Sequence, residues 1–176
     1  LSKRYNALSG GQKQKFTIIM IMMQKAELTF YDEVTSGLDF ETRQKLMEKM
    51  VEWYRDKEDS LIIVSHYYEE LEQLADKILL LDQGKVVAFG RTEELFRKYC
   101  GDAIFILDNN PVNSSLTKGF CALKSPNHLI ALSCRDKEEE RRLLSILMDN
   151  NVNFKRSNSD IEIMSINARE QFYATA

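Results

Sequence analysis

The apolar positions of the first hundred residues fall into segments that alternate between the strand and the helix pattern. The predicted elements, in chain order, are a helix over residues 12–25, a strand over 28–32, a helix from Asp39 to about residue 55, a strand over 61–64, a helix over 68–75, strands over 78–81 and 86–89, and a helix over 93–99. Asp39 is of a residue type that caps helices. Strands and helices in alternation favour an α/β layer architecture.

A different pattern begins at Gly101. Strands are predicted over residues 103–107, 128–133, 152–155 and 161–164, an amphipathic helix over 136–148, and a turn-rich stretch over 108–115. The pattern therefore predicts a small α+β domain over residues 101–176, after a first domain over residues 1–98.

Composition narrows the class of protein. Apolar residues make up 44% and charged residues 29% of the 176 positions, as in soluble globular proteins. The net charge of -3 gives no reason to expect a nucleic-acid partner. Three widely spaced cysteines without a CxxC pair indicate reduced thiols in a cytosolic protein. The missing initiator methionine fits a fragment, a processed chain or a chain whose beginning is missing.

The longest apolar run near the start, residues 16–23, is much shorter than the ~20 residues of a membrane span. No secretory signal is recognisable at the start of the chain. The sequence therefore predicts a protein that does not insert into a membrane by itself.

Two motifs point to phosphate chemistry. Ser9, Gly10 and Gly11 open a helix, where two glycines allow a close approach of the backbone to an anion and free N–H groups face it. Asp32 and Glu33 then end a buried strand, where adjacent acids are costly unless a cation or a proton-transfer role compensates for them. In nucleotide hydrolases such a pair holds Mg²⁺ and activates the attacking water.

Two further motifs follow in order. The segment Ser36-Gly37-Leu38-Asp39 comes directly after the acidic pair, and His66 follows the next strand. A histidine at the end of a strand is ordinarily a surface residue, but at this place its imidazole could reach a terminal phosphate.

Together these motifs resemble those of the ABC ATPase family. LSGGQKQK resembles the signature motif, LTFYDE the Walker B strand with its catalytic glutamate, SGLD the D-loop, and IIVSH the switch-histidine strand. Residues 65–90 also resemble the segment that follows this histidine in transporter ATPases. The resemblance covers roughly residues 1–98 and implies a partial P-loop NTPase core that contains the signature helix.

The resemblance implies that the protein acts as a head-to-tail dimer with two ATP molecules between the subunits. Ser9, Gly10 and Gly11 would contact the γ-phosphate bound on the opposite subunit, and Gln12 is a further candidate on the same helix. Asp39 would link the two ATP sites across the dimer.

The resemblance also implies the residues that act on ATP. Asp32 would assist Mg²⁺, Glu33 would be the general base, and His66 would contact the γ-phosphate. The chain departs from the family pattern at Val34 and Phe40, where proline is usual, and at Lys15, where arginine is usual. The signature helix also carries isoleucine and methionine (IIMIMM) where small alanines are common.

The phosphate-binding G-x-x-x-x-G-K-[ST] loop does not occur in these residues. This chain alone is therefore predicted not to hydrolyse ATP. In the family the strand of that loop lies between the switch-histidine strand and the strand predicted over 78–81. Its absence is predicted to expose apolar sheet surface, and we expect the native protein to include the missing segment.

The leading prediction is thus the ATP-binding subunit of an ABC transporter, at the cytoplasmic face of a membrane through an integral membrane partner. The phrase SHYYEE and the C-terminal domain resemble the exporter subgroup. Two alternatives remain: a soluble ABC ATPase of DNA repair or of ribosomes, and a degenerate, non-catalytic interaction module. The sequence does not reveal the transported substrate.

Overall fold

The computed structural model describes residues 4–24 and 26–175. Their contacts divide the chain into two compact units, Leu1–Leu74 and Ala75–Ala176, which we name the N-terminal and the C-terminal unit. Residues 75–98, predicted as the end of the first domain, are grouped with the C-terminal unit by their contacts. The domain boundary predicted at residues 98–101 thus differs from the division by contacts and stays a prediction.

The N-terminal unit contains a parallel strand pair and three α-helices. After a short 3₁₀ turn at Tyr5–Ala7, its elements are α1 (Gly10–Met22), β1 (Leu28–Asp32), α2 (Phe40–Tyr54), β2 (Ser60–Val64) and α3 (Tyr68–Leu74). The strands pair in parallel from Leu28 opposite Ser60 to Asp32 opposite Val64. The predicted strands and helices of this unit are confirmed, apart from the predicted end of the first helix at Lys25, which lies outside the described residues.

One face of this strand pair carries the core of the unit. Tyr31 from β1 packs with Ile18 from α1 and with Met47 and Met50 from α2, all of them at most 1% exposed. The opposite face is also apolar, but it is open: Leu28, Phe30, Ile62 and Val64 are between 44% and 64% exposed. The described part of the unit thus covers a two-sided apolar sheet on one side only.

The C-terminal unit begins with a hairpin and a helix and continues as a second sheet with three further helices. Its elements are β3 (Lys77–Asp82), β4 (Lys85–Arg91), α4 (Thr92–Cys100), β5 (Ala103–Asp108), α5 (Pro111–Leu116), β6 (Cys121–Leu123), β7 (Leu129–Cys134), α6 (Lys137–Asp149), β8 (Phe154–Ser157) and α7 (Ile161–Ala174). Gln83 and Gly84 both have positive φ, as the predicted hairpin turn requires. The hairpin leaves four apolar side chains exposed, those of Leu79, Leu81, Val86 and Phe89.

The second sheet has the antiparallel order β6-β7-β5-β8. With α5 between β5 and β6 and α6 between β7 and β8, this is the split βαβ arrangement of ferredoxin-like folds. Phe105 and Leu107 of β5 pack against Leu143 and Leu147 of α6. Strands and helices after Gly101 therefore form one α+β layer, and their separation as a domain over residues 101–176 stays a prediction.

The prediction of a strand over residues 161–164 is wrong, because these residues begin helix α7. The alternation of Ile161 and Ile163 with polar neighbours resembled a strand. The Asp160 side chain instead accepts a hydrogen bond from the backbone N–H of Ile163 and caps the helix. Met164 and Ala168 then continue one buried face at helical spacing.

The turn-rich reading of residues 108–115 is also corrected in part. Asn110 caps the short helix α5 by accepting a hydrogen bond from the N–H of Asn113, and Pro111 occupies the first helical position. The three-residue strand β6 was not predicted either. Across residues 4–24 and 26–175, no helix is long and apolar enough to cross a bilayer.

Candidate active site

The parallel pairing of β1 and β2 brings their carboxyl ends together. The backbone N–H of Glu33 donates to the carbonyl oxygen of Val64 at 2.9 Å, which continues the pairing beyond β1. His66 follows two residues after Val64, and its Nε2 lies 2.7 Å from Oε1 of Glu33. Two side chains separated by 33 positions in the sequence thus meet at one edge of the sheet.

The Glu33–His66 pair is open to solvent on one side. The Glu33 side chain is 42% exposed and the His66 side chain 80% exposed, so water and a solute can reach both. Glu33 also has a φ of 46°, a left-handed conformation that is uncommon for a residue other than glycine and that is found at functional sites. The pair belongs to a small cleft that is also lined by Thr35, Ser36, Ser65 and Tyr67.

Asp32 is the last residue of β1, next to this pair, and it is exposed. Mg²⁺ in phosphate-transfer sites is commonly held by one or two carboxylates together with substrate phosphates and water. A single exposed carboxylate at the strand end fits that role as one ligand, and a phosphate would have to supply others. Among the described residues, no group of three or more His, Cys, Asp or Glu side chains could hold a metal ion by itself.

Helix α1 starts directly after Ser9, its N-cap residue. The backbone N–H of Gln12 donates to Ser9 Oγ at 3.3 Å, and the N–H of Ser9 donates to Gln12 Oε1 at 3.1 Å. This reciprocal capping box fixes the turn. A side chain at Gly10 would meet no atom within 4 Å, so the backbone there is open to a ligand. Gln12, a further candidate from the sequence, acts as part of the cap.

Asp39 caps α2, as predicted. Its carboxylate accepts a hydrogen bond of 2.9 Å from the backbone N–H of Thr42. This hydrogen bond holds the pKa of the Asp39 carboxyl below its usual value. Ser9, Gly10, Gly11 and Asp39 do not line the Glu33–His66 cleft. Their roles across a dimer stay predictions.

Sequence reasoning missed a residue that joins the two motif regions. The side-chain amide of Gln14, on α1, donates hydrogen bonds to the carbonyl oxygens of Val34 and Ser36, the latter at 3.1 Å. Gly11 approaches the same loop, since a side chain there would lie 3.4 Å from Leu38 Cδ2. Helix α1 is therefore hydrogen-bonded to the loop that follows Glu33. No local sequence pattern predicts this contact, because the partners are 20 or more positions apart in the chain.

The isoleucines and methionines of α1 contribute to a groove between α1 and α2. Its lining includes Ile19 and Met22 of α1, Met23 just beyond the helix, Trp53 of α2, and the lysines at positions 15, 45 and 49. These large side chains stand where the family commonly has alanines. Nothing among the described residues shows what covers the groove.

Three known proteins show what this chain is similar to. It is 31% identical over 135 residues to the linearmycin resistance ATP-binding protein LnrL of Bacillus subtilis, which is 77% of this chain and 42% of that protein. It is 37% identical over 105 residues to the uncharacterized ABC transporter ATP-binding protein YlmA of Bacillus subtilis, 58% of this chain and 39% of that protein. It is 35% identical over 89 residues to the methionine import ATP-binding protein MetN of Chlamydia pneumoniae, 51% of this chain and 26% of that protein.

The matches span less than half of the length of each of these relatives. No family model matches the chain. The agreement with the relatives confirms the resemblance that the motifs indicated: the chain is homologous to part of the ATP-binding proteins of ABC transporters. Their names include both resistance and import, so the direction of transport stays open.

Proposed function

We propose that this chain is part of the ATP-hydrolysing subunit of an ABC transporter. The observation that supports this proposal most directly is the 2.7 Å contact between Glu33 and His66 at the paired ends of β1 and β2. In this proposal Glu33 accepts a proton from the attacking water, and His66 faces the γ-phosphate and the Glu33 carboxylate together. Asp32 contributes one oxygen ligand to Mg²⁺, which neutralises charge that develops on the phosphates.

The signature helix serves the opposite ATP in this proposal. The open backbone N–H at Gly10 and the hydroxyl group of Ser9 are the donors offered to a γ-phosphate held by a second subunit, while the N–H groups of Ser9 and Gln12 are bonded within the capping box. Asp39 begins α2 at the end of the same loop and would contact the partner there. The partners are thus a second ATPase subunit in a head-to-tail dimer and a membrane subunit that holds both at the cytoplasmic face.

The open apolar face of β1 and β2 supports the proposal that the rest of a nucleotide-binding domain packs there. Side chains such as Phe30, 64% exposed, and Val64, 51% exposed, are costly to leave in water. The proposed missing part would supply the phosphate-binding loop, and without it the 176 residues would not turn over ATP. The isolated chain is expected to self-associate through this face; a monomer with a cooperative melt would contradict this part of the proposal.

An export function is favoured over import within this proposal. A match of 135 residues within 176 necessarily crosses the boundary predicted at residues 98–101, so LnrL shares part of the C-terminal domain with this chain. The match to MetN is only 89 residues long. We therefore propose that residues 101–176 form an accessory domain, part of which this chain shares with LnrL, whose name is that of a resistance protein.

The test uses the full-length gene product and its Glu33→Gln variant, followed by size-exclusion chromatography with and without ATP. The variant is expected to accumulate as an ATP-bound dimer, because it binds both nucleotides but cannot activate water. The Gly10→Asp substitution places a negative charge in the open turn and is expected to abolish that dimer. A Glu33→Gln variant that stays monomeric in ATP, or an ATP-bound dimer that survives the Gly10→Asp substitution, would contradict the proposal.

A further inference from the structure

The most deeply buried carboxylate of the N-terminal unit is not among the residues to which the proposed reaction assigns a role. Glu70, in the first turn of α3, is only 2% exposed, whereas the neighbouring Glu69 is exposed. A buried carboxylate is costly unless it is paired and hydrogen-bonded. The contacts of Glu70 therefore indicate what compensates for its burial.

One oxygen of Glu70 fixes the turn that carries His66. The hydroxyl group of Ser65 donates to Glu70 Oε2 at 2.6 Å, and Ser65 Oγ accepts the backbone N–H of Tyr67 at 3.0 Å. These two hydrogen bonds hold the residues on either side of His66. The imidazole itself is left free to point at Glu33.

The other oxygen of Glu70 faces the helix that begins at Asp39. Arg43 Nε lies 3.8 Å from Glu70 Oε1, which has no hydrogen-bond partner within residues 4–24 and 26–175. The Arg43 guanidinium also lies over the Tyr67 ring, with Cζ 3.8 Å from the centroid. The backbone N–H of Arg43 donates to the Asp39 carbonyl oxygen at 2.9 Å. Glu70 thus contacts both the His66 turn and the first turn of α2.

We propose that Glu70 is a positioning residue that couples the turn carrying His66 to the start of α2, through Ser65 on one side and Arg43 on the other. This inference rests on the proposed function for its catalytic consequence. A movement of the first turn of α2, where a dimer partner would contact Asp39, would reach His66 through the Arg43–Glu70–Ser65 chain. In this proposal His66 keeps its catalytic position only while the first turn of α2 stays in place.

The test compares Glu70→Gln with Glu69→Gln in the full-length gene product. Glu70→Gln keeps the shape of the side chain but removes the charge that faces Arg43, whereas Glu69→Gln makes the same chemical change on an exposed neighbour. We expect kcat of Glu70→Gln to fall about 10- to 100-fold, because small misplacements of a reacting group have that effect. KM for ATP and the activity of the Glu69→Gln control are expected to stay within about twofold of the parent.

A double-mutant cycle separates positioning from general damage. If Glu70 acts through His66, adding Glu70→Gln to His66→Ala costs little beyond His66→Ala alone, since residues that act as a unit are non-additive. If the two losses multiply, Glu70 does not act through the histidine and the proposal is wrong. Ser65→Ala interrupts the same chain and is expected to reproduce the result should Glu70→Gln fail to fold.

Hydrogen exchange supplies a readout that does not depend on catalysis. The amide of Tyr67 is expected to exchange faster in Glu70→Gln than in the parent or in Glu69→Gln. Unchanged exchange overturns the coupling. Faster exchange in a protein whose His66→Ala variant retains full ATP turnover supports the coupling but contradicts the proposed function, so the two failures are distinguishable.

Discussion

The contact between Gln14 and the loop after Glu33 leads to a prediction whose size can be worked out from two hydrogen bonds. Replacing Gln14 by leucine removes both donors to the carbonyl oxygens of Val34 and Ser36. Helix propensity changes little, because glutamine and leucine are both good helix formers. The substitution therefore tests the fastening of the loop to α1 without weakening the helix.

The size of the effect follows from the two hydrogen bonds. The bond to Val34 is partly buried and the bond to Ser36 is exposed, so the second lies at the low end of the usual range. Together they are worth about 1–2 kcal/mol. That free energy corresponds to about a 5- to 30-fold change in the ratio of fastened to released loop.

Hydrogen exchange of the loop amides in the full-length gene product measures this ratio. The N–H of Leu38 donates to the Thr35 carbonyl oxygen within the loop, and its exchange is expected to accelerate by that factor in Gln14→Leu. Gln14→Glu should release the loop further, because a carboxylate would face two carbonyl oxygens. Gln24→Leu, at an exposed position beyond the end of α1, is the matched control. Unchanged exchange of Leu38 in both Gln14 variants would refute the reasoning.

Three further predictions concern stability and reactivity. Gly101→Ala is expected to destabilise the C-terminal unit by about 2–4 kcal/mol, because φ is 95° and the new Cβ would lie 2.8 Å from the Cys134 carbonyl oxygen. Cys121 is expected to react with a thiol reagent at pH 8 while Cys100 and Cys134 do not, since burial raises the pKa of each buried thiol to about 12. Asp39→Asn is expected to remove a contribution to stability that is present above the unfolded carboxyl pKa and lost as the pH falls through the lowered folded pKa.

Each of these predictions has a direct measurement. Urea unfolding compares Gly101→Ala with Gly119→Ala, where φ is also 95° but a Cβ would meet no atom within 4 Å. Equal losses in the two variants would show that the close contact at Gly101 is unimportant. Mass spectrometry counts labelled thiols in the native chain, and more than one rapid label contradicts the burial. For Asp39→Asn, a pH dependence of unfolding identical to that of the parent contradicts the helix-cap argument.

Local patterns were sufficient for the elements of the N-terminal unit. The apolar run of β1 and the spacing of Met47 and Met50 on α2 each predict one type of element, and tertiary packing agrees with them. Local patterns failed at α7. Ile161 and Ile163 alternate with polar residues as in a strand, but the Asp160 cap and the buried face that follows it stabilise a helix.

The candidate site was predictable where it depends on strand ends. Parallel strands place their carboxyl ends at one edge, so residues that follow β1 and β2, such as Glu33 and His66, lie near each other there. Glu70 and Gln14 were not predictable, because their importance lies in contacts with other elements. In the sequence Glu70 is one acid in an acidic helix, and only the structure shows it buried beside Arg43.

The central claim is that Glu33 activates water for ATP hydrolysis. The most direct measurement is the steady-state rate of phosphate release by the full-length gene product beside its Glu33→Gln variant, with ATP binding measured in both. The account predicts turnover in the parent and at least about a 100-fold loss in the variant, with ATP binding retained. Equal rates in the two proteins, or no turnover in a folded parent that binds ATP, would contradict it.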